Sequence, residues 1–332
     1  MSADDLNAVT ESGLSGEALE TERTAQRALA ARTNWGRWGA DDQRGAVNTV
    51  TAHAVMRGIA AVKQGRVIPL SPVLKARSDG SSGGATAIHF MGMDGGDFAA
   101  GAGRNLDRQF AIDTFILAVH GATTHLDGLA HVWTDGKMYN DNSGNLVRSW
   151  GARRLGIEHF GGVVTRGVFL DVAAKEGLDC LPPTYLITAK DVQECEQAGG
   201  VEITQGDAVI MRTGWPLMAE RDPVAFRGVQ PGVGSSAGEY LAERDICLVG
   251  ADNGAVQAAH SYGHDAAAEA ADPRSEIADI HIAFLRNLGI YLLEMMDLSQ
   301  LHESGAHEFL FTLAPLRVQG ATGSPVNPLA VI

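Results

Sequence analysis

The chain has 332 residues, 45% hydrophobic and 20% charged, and so can bury a full core without disulfides. Its formal net charge of −14 is spread along the sequence, which argues against a nucleic-acid or anionic-membrane surface. Three cysteines, Cys180, Cys195 and Cys247, form no Cys-x-x-Cys pair, so neither a disulfide framework nor a thiolate zinc site is expected.

Residues 1–32 are polar and rich in Ala, Glu and Thr, with no apolar segment of signal-peptide type. They read as an N-terminal arm, loose or helical. With no run of 18 apolar residues and reduced cysteines, the expected location is the cytoplasm, with no membrane span. Asn34-Trp-Gly-Arg-Trp-Gly implies tight turns under large side chains. Thr51 is placed to cap a helix over 52–63, ended by Gly65. Residues 67–73 read as a short edge strand, because Pro69 and Pro72 cannot both serve a ladder. Residues 79–104 are glycine-rich and read as a long functional loop carrying His89, Asp94 and Asp97. They lack the strand–GxGxxG–helix context of a nucleotide site. Residues 110–119 are apolar enough for a buried strand.

Further along, 162–172 is a strong strand pattern, and 188–198 a helix with Thr188 and Asp191 at capping-box spacing. Residues 206–215 and 246–252 read as buried strands. Residues 260–275, with His260 and His264, read as a loop or helix start. A helix over 276–288, a strand over 289–293, a helix over 295–303 and a strand over 309–318 complete the chain. Strands and helices mix without strict alternation, repeat or linker. The expectation is one α/β domain, residues 33–332, with a mixed sheet.

The densest window in metal-binding and proton-moving groups is His120-Gly-Ala-Thr-Thr-His-Leu-Asp-Gly-Leu-Ala-His131. On an extended segment His125 and Asp127 point the same way, and a nitrogen with an oxygen suits Zn, Mn or Fe. The plainer alternative is a polar turn with hydrogen-bonded histidines. Two ligands do not complete a site. His281 shares an apolar helical stripe with Leu285 and Leu288, and Glu294 follows the apolar run at 290–293. A helix and the strand returning from it can bring both to the first cluster. Alone, His281 reads more readily as a core histidine, and Glu294 equally as a strand's exit to solvent. Trp133, Tyr139 and Trp150 line a pocket or pack the core. His302 and His307 are five apart with Gly305 between, so they form no zincin motif, and His53 and His159 read as surface groups.

With these residues in view, the chain resembles the cyclase-type metal-dependent hydrolases, which include bacterial kynurenine formamidases and isatin hydrolases. Their signature is His-x-Gly-Thr-His-x-Asp-x-Pro-x-His. Thr124-His125-Leu-Asp127 and His131 match it, and the likeness extends over residues 34–332, including Arg212-Thr-Gly-Trp215 and the pair His281/Glu294. Three positions depart from it. Gly121 stands where the first histidine belongs, with His120 one place earlier, Thr123 replaces the glycine, and Leu129 replaces the proline. These changes resemble a longer subgroup of the family.

The resemblance implies a single domain with a mixed, largely antiparallel sheet, barrel-like and of the swivelling β/β/α type, flanked by helices. It implies one or two Zn or Mn ions held by His125, Asp127, Glu294 and His120 or His281. His131 is expected as general base and then acid, with Glu294 as a ligand or orienting group. Trp133, Tyr139 and His89 are expected around a flat or cyclic substrate. The expected reaction is hydrolysis of a small amide, lactam, formamide or lactone. A metal-dependent lyase or cyclase, and a non-catalytic binding protein on the same fold, are the alternatives. A homodimer or homotetramer is expected, with residues 1–32 as an arm that is flexible or exchanged between protomers.

Overall fold

Strands apolar from end to end form the middle of one nine-stranded sheet. The computed structural model describes residues 16–75, 87–102, 107–121, 123–260 and 279–332. In chain order the sheet strands are β1 (Val67–Pro69), β2 (His125–Asp127), β3 (Val163–Asp171), β4 (Ala208–Arg212), β5 (Leu248–Ala251), β6 (Tyr291–Glu294), β7 (Glu308–Leu313), β8 (Gly323–Pro325) and β9 (Leu329–Val331). Their order across the sheet is β1-β9-β7-β3-β4-β5-β6-β2-β8. The pairings β3–β4, β4–β5 and β5–β6 are parallel, and those on either side are antiparallel. The sheet is thus mixed and mostly antiparallel, as expected, and curls as half a barrel with β1 and β8 at its edges.

The parallel strands β4, β5 and β6 are buried along their whole length, because helices or loops cover both faces. By contrast β7 alternates buried and half-exposed residues, the pattern of a strand with one wet face. Helix α1 (Gly16–Ala31) packs on α4 (Ser235–Glu243), α2 (Ala52–Ala60) packs on β3 and β7, and α3 (Ala189–Gly199) packs on α4 and β3. Thr51 caps α2 through Ala54 N, and Thr188 and Asp191 form a reciprocal capping box on α3. The described part of the N-terminal arm is docked on its own chain. Leu29 is fully buried, Arg32 Nε donates to Glu239 at 2.7 Å, and the buried Glu22 carboxylate accepts the Ser236 N–H at 3.0 Å.

Several boundaries differ from the sequence reading, each for a tertiary reason. Helix α2 stops at Ala60 because Gln64 and Gly65 donate instead to the Ile332 carbonyl. β7 ends at Leu313, two residues before Pro315. The helix expected from 295 starts at Ser299, because the Met296 and Asp297 N–H groups bond to Ala251 and Leu70 carbonyls. The glycine-rich segment is not simply a loop. It contains a strand, Ala87–Met93, and a one-turn helix, Gly95–Ala99, capped by Asp94 and Asp97. The strand expected to be buried at 110–119 is Ile112–Leu117, which pairs with Ala87–Met93 as an exposed ribbon with Phe115 and Ile116 more than half exposed. Its apolar content predicted burial, but no other main element of the described chain packs over it. The expected element at 260–275 lies outside the described residues beyond His260. Of the helix expected at 276–288, the described part includes a π-helix, Ile282–Leu288. Among the described residues no helix is long and apolar enough to cross a membrane.

Candidate metal centre

β2 lies between β6 and β8, and its register decides the site. His125 pairs with Glu294 and Asp127 with Leu292, while Leu126 between them is wholly buried. The strand's two-residue period therefore sends His125 and Asp127 to one face and Leu126 to the other. The Thr124 hydroxyl donates to the Met295 carbonyl at 2.6 Å, tying the entry of β2 to the exit of β6.

His281 arrives from another direction. It precedes the π-helix, whose end is closed by Gly289 at φ +68°. That glycine has no room for a side chain, since a Cβ would lie 2.7 Å from the Tyr139 ring. The helix's last carbonyls are orphans by geometry, and Asn34 and Trp35 supply their donors. Asn34 N bonds to Asn287 O at 2.9 Å, Asn34 Nδ2 to Leu288 O at 2.9 Å and Trp35 Nε1 to Arg286 O at 2.7 Å. The tryptophan motif near the start of the chain thus braces the helix that presents His281. A π-helix of this length is rare and such turns occur often at functional sites.

These elements converge on one cluster. His125 Nε2 lies 3.3 Å from Glu294 Oε2 and 3.6 Å from Asp127 Oδ1. His281 Nε2 lies 3.1 Å from Glu294 Oε1 and 3.6 Å from Asp127 Oδ2. His120 Nδ1 is 2.8 Å from Asp127 Oδ1, and His131 Nε2 is 4.0 Å from the same oxygen. Asp127 belongs to both His125–Asp127–Glu294 and His120–Asp127–His131, each compact enough to hold an ion. His120 and His131 stack with centroids 3.9 Å apart. The one-residue offset of His120 is absorbed at Gly121, whose φ of +81° turns the chain immediately after it.

The donors fit a divalent cation. Among the described residues, His125 Nε2, Asp127 Oδ2 and Glu294 Oε1 are buried without any hydrogen-bond partner. Such groups are costly unless something else satisfies them. Bonds of about 2.0–2.1 Å to a tetrahedral ion put neighbouring ligand atoms about 3.3–3.4 Å apart, and the four His–carboxylate separations bracket that value. The His125 and His281 imidazoles are also held from behind. His125 Nδ1 bonds to the Thr123 carbonyl at 2.9 Å and His281 Nδ1 to Gln257 Oε1 at 2.9 Å. Both leave Nε2 facing the carboxylates.

The electrostatics separate the histidines. Burial disfavours charge on His125, but the Glu294 carboxylate 3.3 Å from its Nε2 and the Asp127 charge outweigh it and hold its pKa at about 9. His281 behaves likewise, at about 9, with Glu294 as the dominant partner against burial. Asp127 loses solvation on burial, yet His120 and the other imidazoles keep it well below the ordinary carboxylate range. Burial, assisted by His120 and His281, pushes His131 down to about 4 despite Asp127.

The three expected pocket residues separate. Trp133 is partly exposed and lies over Gly144. Tyr139 is wholly buried in the core, and its hydroxyl donates to Asp42 Oδ2 at 3.1 Å. His89 sits on the exposed ribbon, stacked on Phe115 and bonded to Asp113, with no contact to the cluster among the described residues. Two partners were not foreseen, Gln257 behind His281 and Thr322, whose hydroxyl lies 3.1 Å from His120 Nε2. Neither belongs to a periodic or dense motif in the sequence. His302 is bound to Asp171, not to the cluster.

A family profile described as "Putative cyclase" matches residues 67–258. An isatin hydrolase of Roseibium aggregatum is 27% identical over 229 residues, covering 67% of this chain and 75% of its own length. The crystal structure of a novel cyclase superimposes with TM-score 0.77 at 28% identity, over 91% of this chain and all of that one. Isatin hydrolase A from Ralstonia solanacearum superimposes with TM-score 0.53 at 24% identity, over 84% and 95%, a likeness of fold. The profile spans more than half of the chain and the fold likeness extends over most of it, and the chain belongs to the cyclase family.

Proposed function

We propose that the protein is a metal-dependent hydrolase that opens a C–N or C–O bond of a small amide, lactam, formamide or lactone. The observation that carries this reading is the set of three unpartnered buried atoms, on His125, Asp127 and Glu294, with His281 closing the same space. The isatin hydrolase relative supports the reaction class. Zinc or manganese suits a mixed nitrogen and oxygen set, and the shared Asp127 suits either one ion or two. A bound divalent ion supplies Lewis acidity, polarising a carbonyl and acidifying water.

The chain's own groups supply the remainder. His125, Asp127, His281 and Glu294 hold the ion. His120, bonded to Asp127 and to Thr322, fixes that carboxylate and adds a ligand where a second ion is present. His131 has no hydrogen-bond partner on either ring nitrogen among the described residues, and it is neutral at pH 7. It takes the proton of the attacking water and returns it to the leaving nitrogen or oxygen. Trp133 is the aromatic wall nearest this base in the sequence. The test is metal analysis of purified protein, followed by a panel of lactams, lactones and N-formyl aromatics assayed before and after chelation. Full activity in metal-free protein overturns the reading.

A further inference from the structure

A cavity lies outside the histidine cluster. It is an open groove of about 1080 Å³. Its walls include Trp150, Arg153, Glu158, His159, Arg317 and Gln319. The volume is of the order of a small-molecule cleft. Trp150 sits in the turn between Val147–Arg148 and Gly151–Ala152, with 65% of its surface exposed. An indole held out in this way offers a flat apolar face. Arg153 lies over it, Cζ 5.3 Å from the ring.

The charges in the groove are unevenly satisfied. Among the described residues neither Arg153 nor Arg317 has a carboxylate partner, although the chain carries 14 more acidic than basic residues. Among the described residues that line it, the one acid is already engaged. Glu158 Oε2 accepts the Gly320 N–H at 3.0 Å, and its Oε1 lies 3.7 Å from His159 Nε2. Among the described residues the two guanidinium groups of the groove, one of them lying over the exposed indole, thus have no carboxylate to serve. Guanidinium forks bind carboxylates in bidentate fashion, and aromatic faces stack on planar ligands.

The groove floor is built and continuous with the histidine cluster. Gly151 and Gly320 lie against each other, both at positive φ, and a Cβ on Gly151 would sit 2.7 Å from the Gly320 carbonyl. Ala152 N bonds to Gly320 O at 2.7 Å and Ile157 N to Ala321 O at 2.8 Å. One residue on, Thr322 O accepts Gly128 N at 2.8 Å and its hydroxyl meets His120. A single three-residue strap therefore runs from the groove to the ring that orients Asp127.

We propose that this groove is a second binding site, for a planar organic carboxylate, its anion held by Arg153 and Arg317 and its ring laid on Trp150. Hydrolysis of an amide or ester bond releases a carboxylate, so the ligand class matches the product class; that link alone rests on the proposed function.

The test uses benzoate as the probe and the full-length, metal-loaded protein, followed by titration calorimetry. Benzoate is expected to bind in the micromolar to millimolar range, and benzamide at least tenfold more weakly. The Arg153→Ala/Arg317→Ala variant is expected to lose at least tenfold in benzoate affinity at unchanged melting temperature, since both side chains are exposed. Trp150→Ala weakens benzoate and benzamide alike. Chelated wild type is expected to keep the benzoate site. No binding by wild type, or binding unaltered in the double arginine variant, overturns the proposal. So does binding that disappears on chelation, which places the anion on the metal centre. A protein that hydrolyses nothing on the panel yet binds benzoate through Arg153 and Arg317 refutes the proposed function and leaves this site standing.

Discussion

His125 and Glu294 face each other across neighbouring antiparallel strands, with Nε2 3.3 Å from Oε2 and both side chains buried. A cross-strand pair of this kind is rigid, because both backbones are fixed by the same ladder. Removing either partner should therefore remove metal more than fold. Glu294→Gln and His125→Ala are each expected to lower affinity for zinc or manganese by more than about 100-fold, above the loss typical of an outer partner. Metal content after dialysis against a competing chelator measures this. Stoichiometric metal in both variants would remove these residues from the site.

His131 should behave oppositely. It is beside the cluster, and among the described residues its ring nitrogens have no hydrogen-bond partner. His131→Ala is expected to retain metal and lose turnover by about 10²–10⁴-fold on whichever panel substrate the wild type hydrolyses. Comparing metal content with kcat in one preparation separates the roles.

Gln257 orients His281 by accepting both its backbone N–H, at 3.1 Å, and its ring Nδ1, at 2.9 Å. Gln257→Leu keeps the bulk and removes the acceptor. Metal affinity should fall by about 10–100-fold, as for other groups behind a ligand. Gln257→Glu should restore most of it, because a carboxylate still accepts from Nδ1. An affinity unchanged in Gln257→Leu would deny the positioning role.

The pH dependence of stability should invert with metal. In metal-free protein His125 and His281 keep their protons to about 9, above the about 6.5 of an unfolded chain. Their contribution is complete below about pH 6.5 and is lost as pH rises through about 9. His131 is shifted the other way, to about 4, so stability is also lost as pH falls from about 6.5 towards 4. Asp127, depressed by its imidazole neighbours, adds stability above the ordinary carboxylate range and loses it only in strong acid. Metal displaces the two imidazole protons, so loading at pH 7.5 should release protons and abolish the alkaline decline. Melting temperatures between pH 5 and 10, with and without metal, decide it. Parallel curves between pH 7 and 9 would contradict the assignment of His125 and His281 as ligands.

Gly289 is the joint between the π-helix and β6. At φ +68° an alanine is strained, and its Cβ would meet Tyr139 at 2.7 Å and the Gly45 Cα at 2.8 Å. Gly289→Ala is expected to cost about 1–3 kcal/mol in backbone strain, with contact strain in addition. The melting temperature should drop and metal affinity with it, since His281 and Glu294 lie on either side of this residue.

The sequence by itself determined what depends on local spacing. His125-Leu-Asp127 had to alternate on any strand, the Thr51 and Thr188 caps follow from side-chain reach, and the apolar runs of β4 and β5 required burial on both faces. His281 and Glu294 were legible as inward-facing candidates, because each interrupts or follows an apolar pattern. Only the tertiary structure decided what depends on register and on chain returns. Whether Glu294 meets His125 is a matter of strand register, and a slip of one residue would put it on the opposite face. Gln257 and Thr322 reach His281 and His120 across 24 and 202 residues of sequence, where no local pattern exists to mark them. Tyr139 and the ribbon strand Ile112–Leu117 show the same boundary from the other side. Apolar content tells that a residue prefers cover, but only the arrangement of the other elements decides whether cover is there.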